Sequence, residues 1–127
     1  MFKRQLSAVN LEKIKDLLNN REHDTNNKGC IMWTGAHTTQ GYGKIRIPKS
    51  LDINVNDAIS VHRLCYYIHN GGLPLSSYMH VSHRCGIKTC LNPEHLSYEC
   101  PAVNAQRMTC VFNGRCHGHG EHLPCIL

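Results

Sequence analysis

Apolar residues recur at helical spacing near the start of the chain, at Val9, Leu11, Ile14, Leu17 and Leu18, with charged and polar residues between them. Ser7 stands where its hydroxyl can cap a helix, and the polar stretch NNREHDTNNKG that follows predicts a loop. Lys3, Arg4, Lys13 and Lys15 read as the wet side of this segment. The period then shortens. CIMWTG and YGKIRI are β-rich runs separated by AHTTQG, which predicts an antiparallel hairpin over residues 30–47. Alternation on its second strand puts Tyr42, Lys44 and Arg46 on one face, with Ile45 and Ile47 on the other.

A second helical run, AISVHRLCYYIHN, follows a loop, with Asn56 or Asp57 as its cap and Gly71 and Gly72 as its stop. Its Ile59, Leu64, Tyr67 and Ile68 are the expected core positions. YMHVSH predicts a short strand, and PAVNAQR a short helix with Pro101 at its first position. These elements predict an α+β fold in a single domain of 127 residues. Residues 1–27 form its N-terminal helix and loop, and residues 28–109 its core. Residues 110–127 are turn residues, Cys and His, with too few apolar groups to order themselves, so something must staple them.

Composition supplies the staple. Aromatic residues make up only 6% of the chain, against eight cysteines and ten histidines, so metal crosslinks are expected to supply stability that a larger core would give. The N-terminus lacks the apolar centre of a secretion signal, and no stretch approaches the roughly 20 apolar residues of a membrane helix. An intracellular site, cytoplasm or nucleus, is therefore expected, where thiols serve as metal ligands before they form disulfides. A net charge of +5 suits a polyanionic partner.

Two constellations have zinc spacing. The tail offers Cys110, Cys116, His119 and Cys125, with His117 and His122 competing for the histidine position. Upstream, Cys85, Cys90 and His95 lack a fourth ligand. Cys30, opening a strand, is preferred to Cys65, which reads as a buried helix thiol, and to Cys100, which precedes Pro101. Closed four-ligand sites are structural, so any chemistry lies elsewhere. His83, two residues before Cys85, and Asn104, on the following helix, can present a base and an oxygen ligand for a hard cation. His80 falls on the opposite face of the same strand and reads as a bystander.

SHRCGIKTCLNPEHL, followed by NAQR and a tail in which Cys110, Cys116, His119 and Cys125 stand in order, resembles the His-Cys box homing endonucleases, a ββα-metal (His-Me finger) nuclease family. GCIMWTG, GYGKIRI and VHRLCYYIHNG are similar to the entry region of HNH-type phage and intron endonucleases, so the likeness spans about residues 28–125. It implies a small zinc-stabilised ββα-metal fold acting as a Mg2+-dependent DNA endonuclease that leaves 5′-phosphate and 3′-hydroxyl ends. By the same resemblance His83 is the general base and Asn104 the Mg2+ ligand. One structural zinc falls to Cys30, Cys85, Cys90 and His95, and the other to Cys110, Cys116, His119 and Cys125. Arg46, or failing it Arg63, lies near the scissile phosphate, while Tyr42, Lys44 and Arg46 face double-stranded DNA. Leu127 comes two residues after Cys125, so the family's C-terminal exchange arm is not expected here and a homodimer stays open. The rival readings are an inactive zinc-stabilised DNA-binding module and a zinc-knit interaction protein that never touches nucleic acid. Retention of both His83 and Asn104 favours the enzyme.

Overall fold

The structure is a computed structural model describing residue 2, residues 5–53 and residues 57–127. Lys3, Arg4 and the alternative cap Asn56 lie outside the described residues. Helix α1 spans Ala8–Asn19, and the Ser7 hydroxyl accepts the Asn10 N–H at 3.1 Å, a cap worth ~1 kcal/mol. Ile14 and Leu18 are buried and Leu11 and Leu17 pack at the edge of the core, but Val9 points to solvent.

The polar stretch after α1 is not all loop. Strand β1 (His23–Thr25) pairs antiparallel with β2 (Ile31–Trp33), in the register His23 to Trp33 and Thr25 to Ile31. The turn between them is closed by Asn26, whose Oδ1 accepts the N–H groups of Lys28 and Cys30, both at 3.0 Å. Gly29 completes it with φ +86°, a left-handed conformation that favours glycine. This turn also presents Cys30.

The hairpin expected over 30–47 is only partly formed. AHTTQG does reverse the chain, with Thr38 N–H bonded to Tyr42 O at 2.7 Å and Lys44 N–H to Ala36 O at 2.9 Å. Ile31–Trp33, however, does not pair with residues 42–47. Strand β3 (Lys44–Ile45) pairs instead with β4 (Ile59–Ser60). Both edges of Ile31–Trp33 are taken, one by β1 and the other by Thr89–Leu91, and the buried Trp33 indole donates to Ala36 O at 2.9 Å within the turn. A Cβ at Gly35 or Gly43 would stand 2.5 or 2.7 Å from that ring, so both positions are closed to larger residues.

Because β4 takes up residues 59–60, helix α2 (Val61–His69) starts later than its apolar pattern suggests, with Ser60 rather than Asp57 at the cap. Ile59, Leu64 and Tyr67 are buried as expected, Ile68 is partly buried, and the helix stops before Gly71. Ile14, Leu18, Trp33, Ile45, Leu64 and Tyr67 anchor one apolar core.

The remaining elements form a β-β-α unit. Strand β5 (His80–His83) pairs antiparallel with β6 (Leu96–Glu99), and helix α3 (Pro101–Asn113) packs on β5. The helix runs past the expected end at Arg107, so Cys110 sits on its last turn rather than in an irregular tail. Among the described residues no helix is long and apolar enough to cross a membrane.

Two arginines tie the tail to this unit. Arg107, 2% exposed, donates to both carboxylate oxygens of Glu99, 0% exposed, at 2.6 and 3.0 Å, and reaches Leu123 O at 2.8 Å and Cys125 Sγ at 3.4 Å. Burial alone would raise the Glu99 pKa, but hydrogen bonds from Arg107 and Ser97 bring it below its ordinary value. Arg84 donates to Pro124 O and to Glu94 O, both at 2.8 Å, and its own carbonyl accepts the Ile126 N–H at 2.7 Å. Removing one member of a buried ion pair leaves the other charge unpaired in the interior. Arg107→Met is therefore expected to cost about 3–5 kcal/mol in urea unfolding of the metal-loaded protein, with Glu99→Gln/Arg107→Met recovering part of the loss.

Candidate functional site

The first Cys/His cluster is assembled from four separate places. Cys30 comes from the β1–β2 turn, Cys85 from the residues after β5, and His95 from the 3-10 turn Pro93–His95. Cys90 lies on the free edge of β2, where Trp33 N–H bonds to Thr89 O at 2.9 Å and Leu91 N–H to Ile31 O at 2.7 Å. All four residues are buried, and their ligand atoms lie within 4.8 Å of one another. His95 Nδ1 is 3.5 Å from Cys30 Sγ and 3.6 Å from Cys90 Sγ. A sulfur and a nitrogen on a tetrahedral zinc are separated by about 3.6 Å, so the donor set fits that ion. The protonation chemistry agrees. The hydrogen bond between Cys85 and Cys90 pulls the Cys90 thiol down and pushes the Cys85 thiol up, so without a cation the crowded thiols cannot all ionise. Cys65 and Cys100 are not brought to either cluster. Cys65 sits against the apolar core, where burial pushes its thiol up to about 12.

The second cluster joins Cys110 to Cys116, His119 and Cys125. His119 Nε2 is 3.6 Å from Cys110 Sγ and 3.2 Å from Cys125 Sγ, while its Nδ1–H donates to Gln106 Oε1 at 3.0 Å. That bond fixes the tautomer that leaves Nε2 able to bind a metal. Backbone N–H groups of His117, Gly118 and Cys125 point at the Cys110 and Cys116 sulfurs at 3.3–3.4 Å. His117 contacts Asn113 and His122 lies 3.8 Å from Glu99, so His119 alone of the three supplies a side-chain donor to the cluster.

His83, the last residue of β5, is buried, and its Nε2 is 3.1 Å from the Cys90 carbonyl. A carbonyl only accepts, so Nε2 carries the proton and Nδ1 keeps the lone pair. Burial pushes the His83 pKa down to about 4 against the opposing pull of that bond, which leaves the ring neutral near pH 7. Asn104, half-buried on the first turns of α3, accepts the Ser82 hydroxyl at Oδ1 over 2.8 Å. The second lone pair of that oxygen is available to a hard cation.

Two cavities meet at these residues. The larger, about 760 Å³, is bordered by Gln40, Tyr42, His62, Arg63, His80, His83 and Asn104 among others. The smaller, about 220 Å³, is bordered by Tyr42, His83, Gly86, Lys88, Asn104, Arg107, Met108 and Val111. His80 therefore borders the same space as His83 rather than standing apart from it.

The expected groove residues separate. Lys44 and Arg46 are exposed and Ile45 and Ile47 buried, as the alternation predicts, but Arg46 borders neither cavity. Tyr42 is half-buried and turned to the histidines, its ring 5.9 Å from His83 and 5.4 Å from His62. Arg63 borders the larger cavity with its guanidinium bonded to Met79 O at 2.7 Å and Ser76 O at 3.0 Å.

Two residues of the site carried no assigned role in the sequence reading. His62, on α2, lies 4.5 Å from the His83 ring, and its buried Nδ1 has no hydrogen-bond partner. Burial first, then the charges of His83 and Arg63, lower its pKa to about 3. Its one sequence signal is a polar residue within the apolar face of VHRL. Lys88 stands as a lone cation between two cluster cysteines, its Nζ 5.3 Å from the centre of the Tyr42 ring.

The family model for the zinc-binding loop region of homing endonucleases matches residues 29–124. No curated protein and no solved structure matches the chain. The matched span covers most of the 127 residues and takes in every cluster residue but Cys125, which lies one position beyond it. This chain belongs to the His-Me finger homing-endonuclease family, in the region that forms its zinc-binding loops.

Proposed function

We propose that this protein is a Mg2+-dependent endonuclease of double-stranded DNA, with His83 as general base and Asn104 as the metal ligand. The observation that carries this reading is the His83 Nε2–H to Cys90 carbonyl bond, which commits one ring nitrogen to the scaffold and leaves the other unprotonated. His83 and Asn104 border both cavities together, as a base and an oxygen ligand acting on one phosphate require.

In this mechanism Nδ1 of His83 takes a proton from the attacking water, and the Cys90 carbonyl steadies the resulting imidazolium. The Ser82 hydroxyl donates to Asn104 Oδ1 and so fixes the orientation of that amide. Asn104 Oδ1 would hold the cation, which would supply stabilisation of charge on the phosphoryl group and the leaving 3′ oxygen, with a 5′-phosphate and a 3′-hydroxyl as the expected products. The exposed Lys44 and Arg46 contact DNA phosphates away from the reacting centre. Cys30, Cys85, Cys90 and His95 would hold one structural zinc, and Cys110, Cys116, His119 and Cys125 the other.

Plasmid nicking tests the chemistry. Wild type is expected to nick only with Mg2+, and His83→Ala to lose on the order of a hundredfold or more while keeping its DNA affinity. Asn104→Ala is expected to lose Mg2+-supported nicking as well. DNA binding without cutting by the wild type would instead identify an inactive binding module.

Metal analysis tests the scaffold. Close to two zinc ions per chain are expected, one for each cluster. Cys116→Ser should retain one, and chelation should abolish cooperative thermal unfolding, since such a small fold depends on its metals.

A further inference from the structure

The two cavities share Tyr42, His83 and Asn104. A phosphodiester strand whose reacting phosphate sits on His83 and Asn104 would have a cavity on either side of that phosphate. Affinity for such a strand comes mainly from cations placed along it. Arg107 is buried in its bidentate pair with Glu99, and Arg63 is held by two backbone carbonyls. Arg46, the cation expected here, borders neither cavity.

Lys88 meets the requirement. It is exposed, borders the smaller cavity beside His83 and Asn104, and donates to one neutral acceptor, Gln40 O at 2.8 Å. Among the described residues no carboxylate lies within 4.0 Å of its ammonium group. An ammonium carries three N–H donors, so a phosphate oxygen can join or replace the Gln40 carbonyl without breaking an ion pair.

The lysine is also held in place. Its loop is closed by the Cys90 N–H to Ile87 O bond at 3.0 Å and anchored at both ends by cluster cysteines. Its stem passes the backbone of Gly41, where a Cβ would come within 3.6 Å of Lys88 Cδ. Little side-chain entropy is then lost when an anion binds.

We propose that Lys88 is the cation that binds a phosphate of the substrate strand at the His83 site, the role expected of Arg46. The inference rests on the nuclease reading above but is tested separately from it. Lys88→Met keeps the stem and removes the charge, Lys88→Arg restores a cation, and Arg46→Met is the comparison. Nicking of supercoiled plasmid and salt-dependent binding of a fluorescent random-sequence duplex are measured for all, with melting temperature and zinc content as controls.

Lys88→Met is expected to lower nicking kcat/KM by roughly ten- to a hundredfold. It should also take about one unit from the slope of log affinity against log salt, with melting temperature and zinc content unchanged. Lys88→Arg should recover most of both, and Arg46→Met should affect nicking less than Lys88→Met. A Lys88→Met protein that cuts and binds like wild type overturns the proposal. So does one that loses activity with an unchanged salt slope, which would make Lys88 only a latch on the Gln40 turn. Should the wild type bind DNA without nicking it, the nuclease reading fails while the salt slope still decides Lys88. Wild type that binds no duplex ends both.

Discussion

The carbonyl oxygen of Cys90 accepts the His83 ring N–H at 3.1 Å, while the thiol of the same residue lies among Cys30, Cys85 and His95. One backbone unit therefore fixes both a metal cluster and the tautomer of the proposed base. The adjoining residues Thr89 and Leu91 add the box loop to the free edge of β2, which is how Cys30, distant in sequence, comes within reach. A shift of the cluster would move the carbonyl, and with it the imidazole, whose burial excludes the water that could otherwise satisfy Nε2.

The tail serves the same centre from the other side. Its cluster begins on α3 at Cys110, six residues after Asn104, and ends at Cys125, whose sulfur is gripped by Arg107 together with the Leu123 carbonyl. Ile126 then bonds to the backbone of Arg84 and packs against the first cluster. The two clusters are thus coupled through two arginines and a short run of chain. The apolar core, built around Trp33, Tyr67 and a few aliphatic residues, reaches the box loop only at Leu91 and takes in no residue of the tail.

Much of this was legible in the sequence because metal ligands have few alternatives. A Cys/His series with tight spacing in a tail without a core must fold around something, and the structure gathers both ligand sets as read. Helices α1 and α2 and strand β5 were legible from periodicity and stop signals. The hairpin partners were not, because Ile31–Trp33 pairs with β1 on one edge and with the distant Thr89–Leu91 on the other. Strand β1 was hidden because its pairing depends on an Asn26 turn within a uniformly polar stretch. His62 and Lys88 carry no spacing rule. Their positions follow only from how α2 and the box loop pack around His83.

Such a protein faces a problem of selectivity, since a neutral imidazole two residues from a cluster cysteine is itself a potential zinc ligand. His83 stands two residues from Cys85, yet its Nε2 is used by the Cys90 carbonyl, so the ring cannot turn toward the cluster without leaving a buried acceptor unpaired. His62 fills the space beside it at 4.5 Å and Tyr42 stacks at 5.9 Å, which closes off alternative ring positions. The amide oxygen of Asn104, which borders the same cavities, is a weak partner for zinc. One hydrogen bond and the packing around one ring thus keep His83 out of the thiol cluster.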